Sequence, residues 1–307
     1  MALTLEIVVH NVHADNGGGG YYSLPLIEAL KRFGKVRSRD EHEQRNLLQP
    51  DLFVCIDHTG MVFPIGRKNL RVCYCPLSTI TVNTDRYDGA ICLGDWIAQE
   101  QALKWKLPYW VIYPAINLDL FRPLPKRNLI LNAGTFFYDK GHSKNQLAVL
   151  KWFKDEGMSD KGWEIVFIGG VHNSAMWYYN AVVELAKDTR GAAVLGHLPH
   201  GPELYRLFGE ARFLIHANGA TGNYPDEVEH FGIVAIEALA SGCQPIVHDS
   251  GGCARIPGMR VWRHWGDIER LMNISVNRDE LICNSALYSF GNMVERVEQM
   301  LKDLGLV

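Results

Sequence analysis

The chain of 307 residues carries 31 Lys and Arg against 34 Asp and Glu, a formal net charge of −3, with 47% hydrophobic residues. That length and apolar content allow two domains with their own cores, and the balanced charge excludes a global basic field for nucleic acid or anionic lipid. No run approaches the ~20 apolar residues of a membrane-spanning helix. Met1 to Val9 turns polar at His10 and Asn11, so no signal peptide is expected and the cytoplasm is the expected compartment.

Leu3 to Val9 predicts a buried strand, followed by HNVHADNGGGGYYS and a helix from about Tyr22 to Phe33. Strand, glycine loop and helix expose backbone amides to a phosphate, and Gly17, Gly18 and Gly19 permit close approach. No Lys-Ser/Thr follows, so this is not a Walker A loop. Short strands are predicted at Leu52–Ile56, Arg71–Tyr74 and Gly89–Cys92, then a helix over Trp96 to Lys106 and a strand over Tyr109–Tyr113. Pro123, Pro125, Lys126 and Arg127 read as a linker. A second alternation follows: strands at Leu129–Asn132, Trp163–Ile168, Ala192–Leu195 and Arg212–His216, helices at Gln146 to Glu156, Met176 to Thr189 and Glu203 to Glu210. Such alternation predicts parallel α/β sheets. Ser285 to Leu304 reads as an amphipathic helix.

The densest stretch is Glu229 to Val247, EHFGIVAIEALASGCQPIV. Ile233 to Ala240 holds strong helix formers, Gly242 sits where a helix stops, and Cys243 to Val247 reads as a strand. If most of the interval is helical, Glu229 and Glu237 stand roughly 12 Å apart along the axis. Between them Phe231, Gly232 and Ile233 open the helix with unpaired amides, a natural seat for phosphate. Carboxylate, phosphate seat and carboxylate suit a sugar, a diphosphate and a nucleoside. Upstream, Lys140 follows a strand and a glycine-bearing loop, Gly134 to Gly141, where a lysine acts as a point charge against a diphosphate.

E-x7-E followed by A-x-G-x-x-P-I-V, with FG directly after Glu229-His230, resembles the donor-binding signature of the family 4 retaining glycosyltransferases. The resemblance implies the GT-B fold: two Rossmann-like domains with parallel sheets facing a central cleft. It implies an acceptor-side domain over 1–122, rejoined by the helix of 285–307, and a nucleotide-sugar domain over 123–284. VIYPAINLDLFRP, Val111 to Pro123, is similar to the family's interdomain crossover. G-x5-K-G matches its phosphate-binding motif through Gly134 and Lys140, with Thr135 where an arginine usually stands and Lys144 as a nearby substitute. By the same resemblance Glu229 and Lys140 are the catalytic residues, Glu237 holds the ribose hydroxyls, and the amides of Phe231, Gly232 and Ile233 meet the phosphates. Backbone groups at His197 and Leu198 meet the nucleobase. After Gly251-Gly252 the family's usual acidic residue is replaced by Ala254 and Arg255.

His58, at a strand end after Asp57, is a candidate for the acceptor side. No Asp-x-Asp occurs, and Cys73-x-Cys75 has no second pair, so neither a metal nor another cofactor is expected. The expected activity is retaining transfer of a hexose from a nucleoside diphosphate sugar to a hydroxyl acceptor, whether saccharide, lipid-linked or small molecule. A nucleotide-sugar epimerase and a catalytically silent nucleotide-sugar binder are the alternatives, the latter motivated by Thr135 and Ala254. Lys31, Arg32, Lys35, Arg37 and Arg39 gather basic charge that would suit peripheral membrane contact, diluted by Asp40, Glu41 and Glu43.

Overall fold

The computed structural model describes residues 5–10, 18–39, 49–56, 62–73, 84–139, 142–221 and 227–307. The chain divides into two compact units, one of residues 1–116 with 288–307 and one of residues 117–287.

In the first unit β1 (Leu5–His10), β2 (Gly34–Arg39), β3 (Leu52–Cys55), β4 (Lys68–Cys73), β5 (Gly89–Cys92) and β6 (Tyr109–Val111) form a parallel sheet in the order β2-β1-β3-β4-β5-β6. Strands β3 and β5 are buried along their whole length, as strands covered on both faces must be. The helix α1 (Gly18–Leu30) begins earlier than the sequence suggests. Gly18 and Gly19 therefore form its first turn and not a loop, because the helical run continues back through residues of poor helix propensity. Gly17 lies outside the described residues. The side chain of Tyr22 is fully buried, and its hydroxyl donates to Ile112 O at 3.1 Å.

Strand β2 has no counterpart in the sequence reading. Its Lys35 and Arg37 reach Glu6 on β1 at 4.0 and 3.4 Å. Of the basic cluster, Lys35 and Arg37 thus stand on the edge strand of a sheet, a placement that discourages edge-to-edge pairing. Residues 95–105 are helical but irregular: α2 (Asp95–Ile97), a π turn at Ala98–Ala102, and α3 (Leu103–Trp105), closed by Lys106 at φ 57°.

In the second unit β7 (Arg127–Ala133) lies at the centre of a parallel sheet. A short antiparallel pair follows, β8 (Tyr138–Asp139) with β9 (His142–Ser143). The alternation continues through α4 (Gln146–Asp155), β10 (Glu164–Ile168), α5 (Met176–Lys187), β11 (Ala192–Gly196), α6 (Pro202–Glu210), β12 (Ala211–His216), α7 (Ile233–Ala240), β13 (Gln244–His248) and β14 (Arg260–Trp262). The sheet order is β11-β10-β7-β12-β13-β14. Two helices, α8 (Asp267–Met272) and α9 (Arg278–Ser285), close the unit. Lys126 fixes the far end of α7, its Nζ donating to Ser241 O at 2.6 Å.

The last helix, α10 (Phe290–Asp303), belongs to the first unit. It packs on α1, buries Met293, Val297, Met300 and Leu301, and carries Arg296 over the Tyr113 ring at 4.3 Å. Its Asp303 accepts from Trp110 Nε1 at 2.8 Å. None of the described helices is long and apolar enough to cross a membrane.

Candidate active site

In parallel α/β sheets ligands gather where strands end, and the second unit concentrates its polar residues at those exits. Gly134 leaves β7 at φ 154°, its amide donating to Ile168 O at 3.0 Å. A Cβ on Gly169, at the exit of β10, would lie 2.0 Å from Gly134 O, so the two exits touch backbone to backbone. Gln146 Nε2 donates to the carbonyls of Gly134 and Thr135, at 3.2 Å each, and holds this turn to the start of α4. The Thr135 side chain faces solvent.

Glu229 sits four residues before α7 in an irregular stretch, so only half of the Glu229–Glu237 interval is helical. Three donors converge on its Oε2: Lys144 Nζ, His216 Nε2 at 3.0 Å and Asn218 Nδ2 at 3.1 Å. Lys144 enters from the turn before α4, His216 ends β12, and Asn218 follows it. Burial alone would push the Glu229 carboxyl up; the Lys144 ammonium and the His216 hydrogen bond outweigh it and hold the group well below the usual carboxylate range. Glu229 is therefore a fixed anion near neutral pH, unsuited to donate a proton. Among the described residues no donor reaches its Oε1, which is left for a ligand hydroxyl.

The helix α7 starts after Gly232, which adopts φ 85° and leaves the first turn without a side-chain cap. Among the described residues no acceptor takes the amides of Gly232, Ile233 or Val234. Free N–H groups and the helix dipole together make an anion seat a few residues from Glu229. One turn further along, Glu237 is 6% exposed, and no described residue donates to its carboxylate. Burial pushes it up from 4.5 to about 7. A buried acceptor with no protein donor is costly in the free protein and suits a ligand that brings its own hydroxyls.

Residues 121–263 match the family model described as Glycosyl transferases group 1. The second unit carries a group 1 glycosyl transferase domain. No curated protein matches the sequence. Among solved structures, Anabaena Alr3699/HepE in complex with UDP and glucose superposes with a TM-score of 0.70 at 12% identity, covering 97% of this chain and 100% of that one. A glycosyltransferase from Rickettsia africae ESF-5 superposes at 0.68 with 13% identity, over 98% of both chains. AviGT4, a glycosyltransferase involved in avilamycin A biosynthesis, gives 0.67 and 15%, again over 98% of both. At these identities the likeness is one of fold, and that fold is GT-B.

Within the group 1 domain the predicted residues fall unevenly. Glu229, Phe231, Gly232, Ile233 and Glu237 are contiguous around the start of α7, with Phe231 buried. Gly134 and Thr135 lie at the exit of β7, while exposed His197 and half-buried Leu198 lie at the exit of β11, an edge strand. Lys140 and His58 lie outside the described residues. The lysine brought to Glu229 is Lys144. His216 and Asn218 were missed, since a histidine ending an apolar strand and an asparagine in a loop carry no local signal. Gly251 has a packing role: at φ 66°, its Cβ would lie 2.4 Å from Glu229 O, so only glycine lets this backbone pass behind Glu229.

Gly232 offers a direct test of the domain's geometry. A Cβ there would lie 2.6 Å from Cys253 Sγ and 3.3 Å from Glu229 Cγ. Gly232→Ala should cost about 1–3 kcal/mol of stability for the left-handed backbone alone, and more for the contact with Cys253 Sγ. Adding Cys253→Ala removes the sulfur contact and should recover the part of the loss due to it, but not the backbone cost, both read in denaturant melts.

Proposed function

We propose that this chain is a retaining, metal-independent glycosyltransferase that moves a hexose from a nucleoside diphosphate sugar to a hydroxyl acceptor. The observation carrying this reading is the Glu229 carboxylate: three donors converge on Oε2, while among the described residues Oε1 meets no donor and the amides at the start of α7, three residues away, meet no acceptor. In the proposal Oε1 accepts from a hydroxyl of the donor sugar and orients the ring. The diphosphate lies against the α7 amides, with the Lys144 ammonium beside it. Glu237 accepts from the ribose hydroxyls. The bond from the anomeric carbon to the diphosphate oxygen breaks, and its electron pair goes to that oxygen, where Lys144 and the amides offset the growing charge. The acceptor oxygen bonds the anomeric carbon on the same face and passes its proton to the departing phosphate oxygen. The cationic charge needed at the leaving group thus comes from the chain itself. The sugar-nucleotide and nucleotide named in the Alr3699/HepE structures motivate testing uridine donors first.

The test pairs binding with turnover. UDP-, GDP-, ADP- and dTDP-hexoses are screened by thermal shift, since a ligand of the native state alone raises its melting temperature. Donor cleavage, and the configuration at the anomeric carbon of the product, are then followed by NMR. One nucleotide should raise the melting temperature, and the product should keep the donor's configuration. Glu229→Gln should keep the shift and lose cleavage. An inverted product would end the retaining reading; no shift with any donor would end the nucleotide-sugar reading altogether.

A further inference from the structure

Asn145 stands between Lys144 and α4 with φ 59° and ψ 28°, a left-handed backbone that costs a residue other than glycine. Its side chain is 5% exposed, and both of its polar atoms are used inside the protein. Nδ2 donates to Ala217 O at 2.8 Å, and Oδ1 accepts from Thr221 Oγ1 at 2.7 Å and Ser143 Oγ at 3.2 Å. Its backbone amide donates to Ser143 Oγ at 3.0 Å. Ala217 lies between His216 and Asn218, so these bonds join the turn that carries Lys144 to the strand exit that carries the other two donors to Glu229. A residue that accepts backbone strain and spends its whole side chain on one junction is fixing that junction.

We propose that Asn145 is a positioning residue: it ties the 143–145 turn to the 216–221 exit of β12, holds the Lys144 ammonium against Glu229, and so governs turnover without touching the donor. The consequence for turnover rests on the reading given under Proposed function; the clamp itself does not. A reacting constellation displaced by about 1 Å can lose on the order of 10²-fold in rate, which is the scale expected when the clamp is cut.

Two variants separate side-chain clamping from backbone shape. Asn145→Gly keeps the left-handed backbone without strain and removes all three side-chain bonds. Asn145→Asp tolerates the same backbone and keeps the acceptor for Thr221 and Ser143, but sets an acceptor-only carboxylate oxygen against the Ala217 carbonyl in place of the donation. Each is compared with the native chain, per folded molecule, for kcat of donor cleavage, for affinity by calorimetry for uridine, which lacks the diphosphate that Lys144 meets, and for acetylation of Lys144 in the free protein, read by peptide mass spectrometry against Lys187. Asn145→Gly should lose about 10²-fold in kcat with uridine affinity unchanged, and Lys144 should acetylate faster while Lys187 does not. Asn145→Asp should show both effects as well, since it cuts the bond to Ala217. Unchanged kcat, a loss shared equally by uridine affinity, or unchanged Lys144 acetylation overturns the proposal. If the native chain cleaves no nucleoside diphosphate sugar, the functional reading falls, and the acetylation rates alone decide the clamp.

Discussion

Glu237→Gln is expected to lose nucleotide binding and, in the free protein, to gain stability as the pH rises. Among the described residues no donor reaches this buried carboxylate, and burial raises it from 4.5 to about 7. A group raised in the folded state supports folding most fully below its unfolded value, near pH 4.5, and that support is lost as pH climbs through 7. The shift corresponds to about 3 kcal/mol of charge penalty once Glu237 is fully ionised. Glutamine carries no such titration, although its amide has its own unpaired groups. The stability difference between variant and native chain should therefore move toward the variant by about 2–3 kcal/mol between pH 4 and pH 8, measured by denaturant melts without ligand. Binding runs the other way. Ribose hydroxyls favour the ionised acceptor, so the native chain should bind nucleotide more tightly at pH 8 than at pH 6, and the variant should show neither the affinity nor the slope. A variant whose stability difference is flat with pH would show that Glu237 finds a donor in solution.

Lys144→Met is expected to damage both catalysis and folding, by different routes. In the proposed mechanism Lys144 is the cation beside the departing diphosphate and should carry roughly 10²–10³-fold of the turnover. As the partner of a largely buried Glu229, it also offsets a charge that His216 and Asn218 alone serve less well. Removing one member of such a pair costs on the order of 3 kcal/mol. Glu229→Gln removes the other charge, and the double variant should be destabilised by less than the two single losses combined, because each residue's penalty is largely the other's stranded charge. Glu229 is held low in the folded state, so its contribution is present above the ordinary 4.5 and is lost as pH falls below it. In Lys144→Met that acid limb should shift upward, to milder acid. Additive stability losses in the double variant would mean that the pair does not couple.

What the sequence disclosed was local, and what it concealed was tertiary. The helix Ile233–Ala240 was legible because helix formers run unbroken up to the residues that stop them, and the strands of both sheets other than β2 and β14 were legible from their apolar runs. The motif G-x5-K-G points to Lys140, whereas the pairing of Lys144 with Glu229 spans 85 positions and exists only once α4 and β12 share a sheet exit. Asn145 looks like an ordinary residue before a helix; only its left-handed backbone marks it out. Strand β2 opens with exposed Lys35 and Arg37 alternating with half-buried Gly34 and Val36 on a sheet edge, and reads as a charged patch. The glycines at 18–19 read as a loop by composition and were absorbed into α1.

The return of α10 to the first unit has a consequence for synthesis. The chain leaves that unit at Ile116 and re-enters it at Tyr288, so the whole of the second unit is made in between. At about 5–20 residues per second this interval is roughly 10–30 s, during which α1 and β6 wait for the segment that carries Met293, Val297, Met300 and Leu301. The second unit has all its strands before the first has its last helix. A nascent chain therefore matures from the middle outward, and a premature stop in the final twenty codons spares the Glu229 cluster while leaving the older half of the molecule unfinished.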